Sequence, residues 1–165
     1  AEADVVVDAL GRLDDSPEGL GWRVTPARRA LDTRDDSDAW SHGRPTAGTL
    51  IPLDLSGMIA DDTPAVAVAI TVTQPAAAGF ITVGTCAELS RQLAADGSPT
   101  TSNLNHLAGQ NVTNLAVVGL DAGEMCVYTL AAAHVVIDVQ AELTDEHTVG
   151  LVAVVPHRLQ DSRQP

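Results

Sequence analysis

The sequence contains no lysine. Its nine basic residues are all arginine and stand against 22 aspartates and glutamates, a formal net charge of −13. Phosphate backbones and anionic lipid surfaces repel such a chain, so nucleic acid is excluded as a natural partner. No apolar run approaches the ~20 residues of a membrane-spanning helix, so no membrane insertion is expected. Aromatic residues are almost missing: Trp22, Trp40, Phe80 and Tyr128 are the full set. Catalytic signatures are missing too. There is no nucleophile elbow, no P-loop and no dinucleotide fingerprint. The five histidines (His42, His106, His134, His147, His157) show neither HxH nor HExxH spacing. An enzyme is therefore not expected, and neither a cofactor nor a metal is expected.

The two cysteines, Cys86 and Cys126, lie outside any CxxC or zinc-type pattern. Their even count favours one disulfide over two buried thiols. It would close a loop of about 40 residues and stabilise by about 3–4 kcal/mol in the chain-entropy view. A structural disulfide points to an oxidising compartment, hence to a secreted or cell-surface protein.

Alanine and valine dominate what is present. Ala65 to Thr73 alternates large and small with a period of two, as does Phe80 to Val83. Further short runs are Val5–Leu10, Asn114–Val118, Met125–Thr129, His134–Val139 and Val149–Val155. Turn residues separate them, as in Asp61-Asp62-Thr63-Pro64, Gln74-Pro75 and Asp121-Ala122-Gly123. The pattern predicts an all-β sandwich or barrel-like domain of about ten short strands. Residues 86–95 compete with it. Leu89 and Leu93 are spaced for one helical face, so a short helix or a loop carrying the disulfide fits there.

The two ends of the chain resemble each other. Ala3 to Leu13 aligns with Ala133 to Leu143 at an offset of 130, keeping Ala, Val, Val, Asp and Leu at positions 3, 5, 6, 8 and 13. At the same offset Pro26-Ala27-Arg28 answers Pro156-His157-Arg158. After a one-residue slip, Asp32-Thr33-Arg34 answers Asp161-Ser162-Arg163. Residues 1–165 thus read as one β domain with a principal repeat unit over 26–155. Residues 1–25 and 156–165 read as partial copies of adjoining units.

Several motifs follow in a fixed order. They are Pro26-Ala27-Arg28-Arg29-Ala30-Leu31-Asp32-Thr33-Arg34, Thr63-Pro64-Ala65-Val66, Gly79-Phe80-Ile81-Thr82-Val83 with Cys86, Ser102-Asn103-Leu104-Asn105, Gly109-Gln110-Asn111-Val112-Thr113-Asn114, Cys126-Val127-Tyr128 and His134 to Val139. In this the chain resembles a tandem β repeat module of secreted and cell-surface proteins from high-GC Gram-positive (actinobacterial) bacteria. The resemblance covers about residues 26–141. It implies an extracellular β module, often in tandem or attached to hydrolases. The opening motif here carries an extra residue, and Ala141-Glu142-Leu143 replaces the usual glycine–aromatic ending.

Among the polar motifs, Asp32 and Arg34 suit an ion pair locking the entry strand, with a ligand-binding arginine as the other reading. Asn103, Asn105, Asn111 and Asn114 suit turns, because amides satisfy backbone groups, but amides also read sugar hydroxyls. Trp40 is the aromatic nearest a surface loop and completes the candidate ligand-binding set. Trp22 reads as packing, since Val152 replaces it in the second copy. Asp35-Asp36-Ser37-Asp38 reads as a solvated acidic loop or a calcium loop. Asn111-Val112-Thr113 fits a glycosylation sequon. The expected function is that of a non-catalytic structural or assembly module of a cell-surface or filamentous protein. Such a module would associate with itself or with neighbouring repeats, and could polymerise by strand exchange. The alternative is a carbohydrate-binding module for cell-wall or environmental glycans.

Overall fold

The computed structural model describes residues 6–15, 19–35, 40–145 and 150–161. Strands dominate it, as the alternation requires. In chain order they are β1 (Val6–Asp14), β2 (Gly21–Asp32), β3 (Thr49–Asp54), β4 (Ala65–Thr73), β5 (Gly79–Gly84), β6 (Leu104–His106), β7 (Val112–Gly119), β8 (Glu124–Thr129), β9 (His134–Thr144) and β10 (Gly150–Asp161). A single helix among the described residues, α1 (Cys86–Asp96), separates β5 from β6. The chain divides into two compact units. One is Arg23–Leu143, and the other joins Ala1–Trp22 with Thr144–Pro165.

The Arg23–Leu143 unit is built of two four-stranded sheets, ordered β2-β9-β4-β7 and β3-β8-β5-β6. Their facing sides bury alternate residues: Val66, Val68, Ile70 and Val72 of β4 and Val135, Ile137 and Val139 of β9 on one sheet, Ile51, Leu53, Ile81, Val83, Met125 and Val127 on the other. Burying each such aliphatic side chain contributes roughly 1.5–3 kcal/mol, which is how a core nearly free of aromatics holds.

Strand β8 departs from the period-two pattern. Met125 to Thr129 is buried at every position. Its second face is covered by α1, where Leu89 packs with Cys126 and Tyr128 beside Phe80. The choice left open at residues 86–95 is resolved as helix and disulfide together, because Cys86 is the first helical residue and bonds Cys126. The Thr85 hydroxyl caps the helix by accepting from the Glu88 N–H. Gly97 ends it at φ 74°, a left-handed position that favours glycine.

In the other unit, β1 pairs with β10 as an antiparallel two-stranded ribbon. Leu20 and Leu151 add a reciprocal pair of backbone hydrogen bonds (3.1 and 2.7 Å). Moved by the sequence offset, β1 falls on β9 and β10 falls on β2, and β9 is hydrogen-bonded to β2. Asp8 lies opposite Arg158, and Asp138, the counterpart of Asp8, is held by Arg29. At that offset Arg158 answers Arg28, the neighbour of Arg29. The ribbon has register shifts flanking this position, between Val7 and Asp8 and between Ala9 and Gly11. Trp22, read as packing, is instead 40% exposed. It sits near the start of β2, which is an edge strand.

The disulfide closes a separation of 40 residues and ties α1 to β8. Replacing both cysteines by serine should lower unfolding stability by about 4 kcal/mol. Chemical denaturation of the two proteins checks this, and an unchanged midpoint would show that the bridge adds no stability.

Candidate functional site

The densest polar chemistry among the described residues lies on the outer side of the β2–β9 ladder. The fold creates it by laying the Arg-rich end of β2 beside the acidic positions of β9. Asp32, only 3% exposed, closes β2. Its carboxylate accepts from Arg34 Nε (2.8 Å) and Nη2 (2.5 Å), from the Arg34 backbone N–H (3.1 Å) and from Arg29 Nη1 (2.6 Å). Arg29 in turn donates through Nε and Nη2 to both oxygens of Asp138. The result is a chain of alternating charge: Asp138, Arg29, Asp32, Arg34. The Arg34 hydrogen bonds, aided by the charges of Arg34 and Arg29, lower the Asp32 pKa from 3.8 to about 2 despite burial. The Arg29 pKa rises, chiefly through its hydrogen bond to Asp138.

Thr33, between these charges, is fully buried. Its hydroxyl accepts from the Val135 N–H (2.9 Å), and its own N–H donates to the Val135 carbonyl (3.1 Å). His134 Nδ1 lies 3.1 Å from both the Thr33 hydroxyl and its carbonyl. Asp-Thr-Arg is thus a clasp: threonine fastens the end of β2 to the start of β9, and aspartate fixes two guanidinium groups.

Those guanidinium groups are half-exposed and wall a shallow depression of about 270 Å³. Thr71 and Thr73 of β4, Asn111, and Val136 and Asp138 of β9 complete the lining. Two of the candidate residues therefore meet, Arg34 and Asn111. Trp40, Asn103, Asn105 and Asn114 are not part of that lining. Trp40 packs against the core, and its indole N–H donates to the Gly43 carbonyl (2.6 Å). Asn103 accepts from the Val83 N–H (2.9 Å), and its carbonyl accepts from Asn114 Nδ2 (2.6 Å). Asn105 accepts from the Ser102 hydroxyl (3.1 Å). Asn111 accepts from the N–H of Gln74 (3.1 Å), which holds a left-handed φ of 52°. Each of the four amides thus supports a turn or strand end.

A second polar centre was not anticipated. Glu142 is 5% exposed. It accepts from the Ala60 N–H (3.1 Å), the Thr63 hydroxyl (3.1 Å), Arg28 Nη2 (3.0 Å) and Arg23 Nη1 (3.5 Å). Burial alone raises its pKa, but these donors and the two arginine charges outweigh it and the net shift is downward. The available signal was its place in Ala141-Glu142-Leu143, where the resembling module has a glycine–aromatic ending. His106 is also buried, and its ring nitrogens make no hydrogen bond among the described residues. Burial lowers its pKa, against an opposite effect from the backbone of Leu107 and Ala77. Its ring packs on Gly79, where a Cβ would come within 3.2 Å of His106 Cε1 and 2.9 Å of Ala131 Cβ.

Cys86, Glu124 and Cys126 form a cluster of metal-ligand types, but both sulfurs are committed to the disulfide. Asp36, Ser37 and Asp38 of the acidic loop, and likewise His147, Ser162 and Arg163, lie outside the described residues. No protein-family model, no curated protein and no solved structure matches the chain.

A carboxylate with a lowered folded-state pKa stabilises above its unfolded pKa and loses that contribution as pH falls through the folded value. For Asp32 the window runs from pH 3.8 down to about 2, with about 2 kcal/mol at stake. Asp32→Asn should therefore be less stable than the parent at neutral pH, with the gap closing as pH falls below 4. Denaturant titrations across pH 2–7 check it, and a gap independent of pH would assign the loss to packing.

Proposed function

We propose that the protein is a non-catalytic, extracellular structural module of a modular cell-surface or filamentous scaffold. One observation carries this reading: the β1–β10 ribbon pairs the same two strands that β9 and β2 pair, each moved by the sequence offset. Pieces of a repeat that find each other in the order of the repeat are what a serial scaffold would supply. The disulfide between α1 and β8 agrees with an oxidising compartment. The resemblance to actinobacterial surface modules points the same way. The amides and charges of the Arg23–Leu143 unit are largely engaged in holding strands together, which suits a structural role.

A groove lined by Arg34, Asn111, Thr71, Thr73 and Asp138 favours one second reading, carbohydrate binding. Fixed guanidinium donors beside hydroxyls and a carboxylate match the mixed donor and acceptor character of sugar hydroxyls. Against it stands the lack of an aromatic platform in the lining.

Protease treatment of intact producing cells should release peptides of this chain into the medium while a cytosolic marker stays inside. Recovery of the chain only after lysis would sink the extracellular reading. For the second reading, a glycan array should give a ligand whose affinity falls about tenfold with Thr73→Val, the loss of one good hydrogen bond. An array without binding would remove carbohydrate recognition.

A further inference from the structure

We infer that the β1–β10 ribbon is an exchangeable closure: β1 of one molecule pairs with β10 of a second copy in the same register, joining copies head to tail. The inference rests on the scaffold reading above and names its partner.

The ribbon's two strands lie far apart in sequence, with the whole Arg23–Leu143 unit between them. An intermolecular ribbon in the same register makes the same backbone bonds as the closed one. For the ladder itself, closure within one chain is favoured by the effective concentration of the tethered ends, about millimolar for flexible tethers. The closed form also has less to lose than the equivalent ladder. In the Arg23–Leu143 unit, β9 is flanked on both sides, by β2 and by β4. Among the described residues β1 has one strand partner, β10. A two-stranded ribbon is marginally stable in water, so its opening is cheap by comparison with the core sheets.

Strand identity sets the polarity. A β1 edge meets a β10 edge, so the contact is heterologous and extends into open chains unless two copies close reciprocally. Charge sets the condition. Each copy carries −13, so repulsion opposes association at low ionic strength and salt relieves it.

Val7 and Gln160 are register partners in the ribbon, and no free cysteine is present among the described residues. Three proteins test the inference: Val7→Cys, Gln160→Cys and the double variant. The double variant, oxidised at low concentration, should lock into a covalent monomer. The two single variants, unfolded together and refolded at about 1 mM, comparable to the tethered concentration, should give mixed Val7→Cys–Gln160→Cys dimers on oxidation. These should exceed the dimers formed by either variant alone by roughly tenfold, with a larger yield at higher salt. A double variant that locks, with a mixture no better than the separate variants, overturns the exchange and leaves the scaffold reading standing. A double variant that fails to lock overturns the ribbon itself, and the scaffold reading with it.

Discussion

The pairing of β2 with β9 is the interaction on which the Arg23–Leu143 unit turns. Strand β9 lies between β2 and β4, and its inner face supplies Val135, Ile137 and Val139 to the core. Its outer face carries Asp138 and Glu142, both bound by arginines of β2. Four of the nine arginines in a lysine-free chain, Arg23, Arg28, Arg29 and Arg34, are used on this ladder. In a protein of net charge −13, cations are the scarce component, and their concentration here marks where acidic repulsion is cancelled locally. Exposed ion pairs contribute little on their own. Buried Asp32 and Glu142 differ, because each also satisfies a backbone N–H and would otherwise be a buried charge without compensation.

Much of the fold was legible because most strands keep a simple relation between alternation and burial. β4 buries Val66, Val68, Ile70 and Val72 toward the core in step with its sequence. β8 could not be read that way, since Met125 to Thr129 is buried throughout. Its second cover comes from a helix whose own pattern was equivocal. Two cysteines linked these segments before any geometry was known, but not the form of the cover.

The polar residues were legible as types and not as roles. Asp32 with Arg34 was read as a lock, and the ladder contains that pair. Arg29, the residue joining Asp32 to Asp138, lay hidden in a motif of adjacent arginines. Glu142 occupies what periodicity makes an outward position, yet it is buried because Arg23, Arg28 and the 60–63 turn fold over it. Such coverage depends on segments distant in sequence, so alternation within one strand cannot reveal it. The asparagines show the same limit: an amide that props Gln74 at positive φ and one that reads a sugar are identical on paper.

The end-to-end similarity extends to which strands pair, and pairing is a stricter criterion than likeness. Short valine-rich strands resemble one another easily, and composition alone is enough to make two of them look alike. Composition does not specify which strand each one pairs with, nor which residues face one another. Moving a strand by one residue turns every side chain to the opposite face. In the ribbon Asp8 lies opposite Arg158, while in the β2–β9 ladder Asp138 is bound by Arg29, next to Arg28, which answers Arg158. The extra residue of the opening motif lies in the β2 copy, Pro26 to Arg34, and is lacking from Pro156 to Arg163. The ribbon has register shifts of its own, from Val7 to Asp8 and from Ala9 to Gly11, and its pairing continues beyond them. Pairing between the two strands that the offset relates is thus a likeness of arrangement that composition alone does not supply.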